Sequence, residues 1–245
     1  MDMIIDFWGC RGTLPVPGSK SVRYGGNTNC VTVRIGKEHF FIFDAGTGIK
    51  ELSSHLIKEN QFPLSATLLI THPHYDHING IPFFLPLYQK GNKFEIFGPI
   101  CGEVDFEEII GGQMDSIYFP VTMSAFASQA HFNSILGNEA FNIADVKVKT
   151  IPLNHPGCCL GYRLEYKQKS FCYITDNELH LENSPKYNRS KVNHLIDFIR
   201  GTNVLVIDTT YLDQEYSKKA GWGHSCVSQV VDIADKANVK LLCLY

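Results

Sequence analysis

The chain has 245 residues, 44% of them hydrophobic and 19% charged, with a formal net charge of -3. That balance belongs to a globular chain with a sizeable core; it excludes a disordered chain and a surface basic throughout for gripping duplex nucleic acid. The N-terminal residues lack the basic and apolar regions of a secretory signal, and no stretch approaches the ~20 apolar residues that span a bilayer. Eight cysteines without CxxC spacing read as reduced thiols of a cytoplasmic protein. Asn188-Arg189-Ser190 is then a chance sequon.

In chain order, Cys30–Ile35 and His39–Phe43 are β-rich runs joined at Gly36-Lys37, which predicts a hairpin. The second run empties into Asp44-Ala45-Gly46. Ile49, Leu52, Leu56 and Ile57 recur at helical spacing, and residues 66–71 (ATLLIT) form a short apolar run typical of a buried strand. Residues 83–143, rich in Pro and aromatics, read as an insertion or lid with short helices near 104–111. Tyr118, Phe119 and Phe126 within it are expected to pack, with stacking on a base as the alternative. A second hairpin, 161–166 with 170–175, ends at Asp176 and echoes the first with its Asp44; the echo suggests two halves built from similar hairpin units. Val192, Leu195, Ile196 and Ile199 mark a helix, 203–208 a strand, Val227, Val230, Val231 and Ala234 a helix, and 239–245 a last strand. With no low-complexity linker, one domain over 1–245 is expected.

The richest motif is Thr71-His72-Pro73-His74-Tyr75-Asp76-His77, which sets three imidazoles and a carboxylate within six residues of a buried strand's end. Imidazole and carboxylate are ligands for zinc and similar divalent ions. In an extended segment residues i and i+2 point the same way, so His72 and His74 can grip one ion together. Asp76 and His77 follow where a helix would begin, and the turn redirects them toward a second position. By residue type alone, Asp44 also reads as a turn former, Asp176 as a helix N-cap and His224 as a loop histidine before a helix that Ser225 could cap.

This HxHxDH motif resembles the signature of the metallo-β-lactamase superfamily. Further matches are Asp44 in FIFDAGTG, His155 in IPLNHPG and Asp176 in YITDNE, in the family's order and near its intervals. The opening WGCRGTLPVPG with RYGGNTNC, together with GQMDSIYFPV, looks most like the phosphodiesterase, tRNase Z-like branch. The resemblance implies an α/β fold, a four-layer αββα sandwich with a metal site at one edge. It implies two divalent ions, zinc first and manganese or iron as alternatives. His72, His74 and His155 would hold one, Asp76 and His77 the other, and Asp176 would bridge them. Asp44 would orient the ligands from behind. The family's further C-terminal His is absent from a sequence that stops at Tyr245, which leads us to expect a chain cut short of its natural end. His224 matches the branch's His-Ser element facing the scissile phosphate, with Asp208 in VLVIDTTY as its acidic partner. His39, His55, His131, His180 and His194 match no motif.

Such a site would hydrolyse a phosphodiester through a metal-bound hydroxide. Asp76 would orient or deprotonate the nucleophile, and His224, oriented by Asp208, would protonate the leaving alkoxide. Competing readings are hydrolysis of a lactam, lactone or thioester, and a non-hydrolytic metal-binding module. Neither explains a His with an acidic partner beside intact ligand motifs. The net charge and the lack of a Gly- and Lys/Arg-rich arm favour a small phosphodiester or cyclic nucleotide as partner over RNA. No membrane is expected as a partner, and a homodimer is left open.

Overall fold

The computed structural model describes residues 2–245, in two compact units, the first ending at Ile135 and the second running Leu136–Tyr245. The first unit contains β1 (Met3–Gly9), β2 (Cys30–Ile35), β3 (His39–Phe43), α1 (Gly48–Lys58), β4 (Ser65–Leu69), α2 (Tyr75–Ile78), β5 (Lys93–Pro99), α3 (Phe106–Gln113) and β6 (Gln129–Ile135). Its six strands lie side by side in sequence order; β2 is antiparallel to both β1 and β3, and β3 to β6 run parallel.

The expected hairpin forms from β2 and β3, with Ile35 opposite His39, so the turn takes in residues 36–38, and Gly36 adopts a φ of 60°. Crossover through α1 makes β4 parallel to β3. Ile42, Leu68 and Ile96 are then register neighbours across three strands, and they pack with Ile49, Leu52 and Leu56 of α1 in one core. Burying each such side chain stabilises the unit by about 1.5–3 kcal/mol. Ile57, which shares the apolar pattern of α1, falls off this stripe and is 40% exposed. Phe41 and Phe43 on the opposite face of β3 are buried too, which is why the strand reads as a continuous apolar run.

Within the stretch 83–143, β5 and β6 extend this sheet, strands that the pattern of Pro and aromatic residues hid. Phe126 packs edge-on against Tyr88 and Phe119 against Phe83, as expected of packing aromatics, while Tyr118 stands exposed.

The second unit contains β7 (Ala140–Ile143), β8 (Val146–Pro152), β9 (Leu160–Tyr166), β10 (Lys169–Ile174), α4 (Arg189–Ile199), β11 (Val204–Ile207), α5 (Asp213–Tyr216), α6 (Val227–Lys236) and β12 (Leu242–Leu244). Its sheet again follows sequence order, antiparallel from β7 to β10 and parallel from β10 to β12. Leu195, Ile196 and Ile199 of α4 and Val230, Ile233 and Ala234 of α6 cover Cys172, Leu205 and Ile207 of the sheet. Val231, part of the apolar pattern of α6, points outward. Asn188 caps α4, its Oδ1 accepting the Lys191 N–H.

The echo between the two hairpins extends beyond the hairpins themselves, since each leads into a helix and then a parallel strand. In each unit the second hairpin strand ends in an aspartate with a left-handed backbone, Asp44 at φ 56° and Asp176 at φ 41°. A non-glycine residue held there costs on the order of 1–3 kcal/mol, and such strain persists where surrounding structure fixes it. No helix begins at Asp176, which removes its capping alternative.

Of the cysteines, Cys10, Cys30, Cys159, Cys172, Cys226 and Cys243 are free thiols, whereas Cys101 and Cys158 are not. The expectation that all eight are reduced is corrected to those six; local spacing says nothing about a cysteine whose partner is not adjacent in sequence. Burial pushes the Cys172 thiol up to about 11, more than its Arg163 and Thr202 contacts pull it down.

Gly46, just past Asp44, is a point of close packing beside the first hairpin. A Cβ there would collide with the Asp76 carbonyl oxygen and with Thr28 Oγ1. Gly46→Ala should therefore destabilise the protein by at least about 1–3 kcal/mol, the usual cost of overpacking, read as a lowered midpoint in urea unfolding.

Candidate metal centre and acid–base pair

The first unit delivers ligand-type side chains from the carboxyl ends of β3 and β4, where parallel sheets leave a crevice for ligands. Asp44, fully buried, receives the Thr71 N–H at 2.8 Å, the Thr71 hydroxyl at 2.9 Å and His77 Nδ1 at 2.8 Å. Because Nδ1 of His77 donates to this carboxylate, its Nε2 carries the lone pair. That atom lies 2.8 Å from Asn29 Nδ2 and 3.5 Å from Asp76 Oδ2. A carboxylate behind a ligand imidazole fixes its tautomer and tilt in this way.

His72 Nδ1 sits 3.1 Å from Thr71 Oγ1, and its Nε2 lies 2.9 Å from His74 Nδ1. Two ligands of one tetrahedral zinc ion would stand ~3.3 Å apart, given Zn–N bonds near 2.0–2.1 Å. The pair therefore fits a shared divalent ion with little movement. His74 precedes α2 in extended conformation and Asp76 stands in its first turn, so the change from strand-like to helical backbone aims the two pairs differently, in keeping with the sequence pattern. The Thr13 N–H donates to Asp76 Oδ2 at 2.8 Å, anchoring the N-terminal loop to the motif.

The second unit delivers His155 after β8, Asp176 after β10, Asp208 after β11 and His224 just before α6. His155 Nδ1 donates to the Gly223 carbonyl at 3.0 Å, and its Nε2 faces Asp176 Oδ2 at 3.4 Å. His224 Nδ1 donates to Asp208 Oδ2 at 2.8 Å, and Asp208 Oδ1 receives the Thr210 hydroxyl and N–H. Ligand-type atoms of Asp176, Asp208 and His224 all lie within 4.8 Å of one another. Tyr211 stands edge-on to His224, ring centres 5.9 Å apart. Burial, reinforced by the carboxylates of Asp208, Glu178 and Asp176, raises its phenol above the ordinary tyrosine value.

A model of the beta-lactamase superfamily domain matches residues 39–245, which include every one of these ligand-type residues. The chain belongs to this superfamily. The ribonuclease Z of Staphylococcus carnosus is 24% identical over a match covering 97% of this chain and 86% of that protein. The human tRNase Z, short form, superposes with a TM-score of 0.69 at 20% identity, covering 98% of this chain and 91% of that one. A diphosphatase from the PhnP family superposes at 0.66 with 18% identity, covering 98% of this chain and 85% of that one. The fold, mixed α/β with two mixed sheets, is thus that of the superfamily its motifs resemble, and the family implies divalent metal binding. No helix among the described residues is long and apolar enough to cross a membrane.

Three contributors escaped sequence reading. Asn29 and Thr13 touch His77 and Asp76 from the N-terminal segment, which the pairing of β1 with β2 and backbone bonds such as Arg11 N–H to Asn27 O and Gly46 N–H to Asn29 O bring there. Glu178, in a stretch without secondary structure, is 4% exposed, and its carboxylate receives the Gly221 and Gly223 N–H groups and the Tyr216 hydroxyl, with His180 Nδ1 at 3.1 Å. Burial alone would push this carboxyl up, but the two backbone donors, Tyr216 and His180 outweigh it and hold the group below its ordinary value. The sequence did carry a signal, a Glu two residues beyond the Asp of YITDNE. Ser225, expected to cap α6, does not. Cys226 takes that position, its N–H donating to Gln229 Oε1, because Ser225 Oγ is committed to Asn177 O and Leu179 N.

Asp44→Asn keeps a residue type that tolerates the left-handed backbone but turns one acceptor into a donor facing Thr71 or His77. Zinc affinity should fall roughly 10–100-fold, measured by competition with a chelator. Far-ultraviolet circular dichroism should stay unchanged.

Proposed function

We propose that the protein is a metal-dependent phosphodiesterase acting on a small or cyclic phosphodiester. The observation that carries the reading is the His224–Asp208 pair held within 4.8 Å of Asp176, a histidine with its own carboxylate beside a metal-ligand candidate. An alkoxide is a poor leaving group and gains from a positioned acid, whereas opening a lactam or cleaving a thioester has less need of one. The similarity to the ribonuclease Z and to the human tRNase Z supports the same bond class.

In this reading His72, His74 and His155 would hold one divalent ion, Asp76 and His77 would hold a second, and Asp176 would serve both. Zinc suits this set of imidazoles and carboxylates, with manganese or iron as alternatives. Bound ions supply hydroxide at neutral pH and neutralise a phosphoryl oxygen. The chain's own groups do the rest. Asp44 keeps the His77 Nε2 lone pair forward, and the Gly223 carbonyl does the same for His155 by accepting its Nδ1 proton. Asp76 orients the nucleophile. His224 gives the leaving oxygen a proton from Nε2, while Asp208 on Nδ1 stabilises the imidazolium that precedes transfer. The net charge of -3 favours a small substrate over structured RNA, whose phosphates reward a basic surface.

Two substitutions separate these roles. His72→Ala should lose bound metal, read by elemental analysis, and all hydrolysis with it. His224→Ala should keep its metal and its fold while turnover of alkyl phosphodiesters drops roughly 10²–10⁴-fold, with a smaller loss on a nitrophenyl diester whose leaving group needs little protonation. Equal losses on the two substrates would make His224 a phosphate binder; loss of metal would move it among the ligands.

A further inference from the structure

The loop that presents His224 is built around two glycines with positive φ, Gly221 at 92° and Gly223 at 91°. Side chains are disfavoured at both by the left-handed backbone, and a Cβ on Gly223 would also collide with His155 Nδ1. Such a loop has little intrinsic preference for one shape. What defines it here is the carboxylate of Glu178. Oε1 receives the Gly221 N–H at 2.7 Å, Oε2 receives the Gly223 N–H at 2.9 Å, and Tyr216 Oη donates to Oε1 at 2.9 Å. Without that carboxylate the Gly223 N–H would be a buried donor left unpaired.

The chain on either side of Glu178 is tied to the same loop. Ser225 Oγ donates to Asn177 O and accepts from Leu179 N, and Asp208 Oδ2 receives both the Asn177 N–H and His224 Nδ1. Residues 177–179, just after Asp176, are therefore laced to residues 221–225, which carry His224. Asp208 fixes the imidazole by its side chain, and Glu178 fixes the backbone from which that imidazole projects.

We propose that Glu178 is a positioning residue for His224, holding the loop so that the imidazole meets Asp208 through Nδ1 and turns Nε2 toward the leaving oxygen. The inference deepens the reading of His224 as the acid and rests on it. The Glu178 carboxylate is buried and spent on Tyr216, Gly221 and Gly223, so it acts through the loop and not on the reacting atoms. Its effect should appear only in what His224 does.

The test uses full-length, zinc-loaded protein with Glu178→Gln, Glu178→Asp, His224→Ala and the double variant Glu178→Gln/His224→Ala. Glu178→Gln should lower kcat on an alkyl phosphodiester roughly 10–100-fold, the usual effect of removing a supporting partner. KM and zinc content should hold, and the rate on a nitrophenyl diester should change little. In the His224→Ala background the same change should have no further effect. Proton NMR supplies a readout apart from turnover: the His224 Nδ1–H bonded to Asp208 should give a downfield signal, identified by its loss in His224→Ala, and Glu178→Gln should broaden or remove it. Glu178→Asp keeps the charge with a shorter reach, should fall between wild type and Glu178→Gln, and carries the comparison alone if Glu178→Gln does not fold. Equal losses on the two substrates, additive losses in the double variant, an unchanged imidazole signal, or release of zinc would each overturn the proposal. If His224→Ala itself shows no dependence on the leaving group, the acid reading falls, while the imidazole signal still decides whether Glu178 positions the ring.

Discussion

The Asp44 carboxylate is the fixed point of the first unit's histidine cluster. It is wholly buried, and a buried charge persists only where hydrogen bonds replace the water it has lost. Thr71 supplies two of those bonds from the end of β4, and His77 supplies a third from α2. Satisfying the carboxylate and orienting the His77 imidazole are therefore one act. The left-handed backbone at residue 44 is what turns the side chain toward β4, and Gly46 and Gly80 allow the chains to close around it: a Cβ on Gly80 would strike the Gly46 carbonyl oxygen. The same carboxylate adds to the burial that pushes the neighbouring Cys30 thiol far above its ordinary value, so that thiol stays protonated beside the cluster.

The second unit solves the same problem with different means. There the corresponding aspartate, Asp176, ends a hairpin strand in the same backbone region, yet the buried carboxylate that organises its surroundings lies two residues on, at Glu178. Its partners are backbone N–H groups of a glycine loop instead of a neighbouring strand end. Asp208, at the end of β11, resembles Asp44 in taking a threonine hydroxyl and a histidine Nδ1 together. A repeated device of strand end, carboxylate and imidazole thus stands behind the histidine motif in one unit and behind His224 in the other.

The motif from His72 to His77, the hairpins and the helices α1, α3, α4 and α6 were legible in the sequence because each rests on local spacing or composition: alternation in strands, threes and fours in helices, and a dense run of imidazoles; the four-residue α5 is too short to show a period. What was not legible depends on contacts between distant residues. Strands β5 and β6 carry Phe94, Ile96 and Phe132 in an alternating pattern, but nearby prolines and exposed aromatics masked it. Asn29 and Thr13 have no local mark of their function, since each is defined by what β-sheet pairing sets beside it. Glu178 is marked in the sequence only by its place two residues beyond Asp176; its burial is a property of the loop that folds over it. Ser225 fits a capping pattern, and only the segment 177–179 reveals why its hydroxyl is spent elsewhere.

The two hairpin turns stand at the ends of their strands remote from Asp44 and Asp176. With five residues in β3 and six in β10, at about 3.3–3.4 Å each, some 16–20 Å of paired backbone separates each turn from its aspartate. Gly36 and Lys167 already hold the positive φ that tight connections demand. An appended peptide tag or a dye attached at residues 36–38 or 167–168 would thus report on the chain without entering its chemistry. Evolution has the same freedom: length can vary at these turns while the opposite rim stays constrained atom by atom.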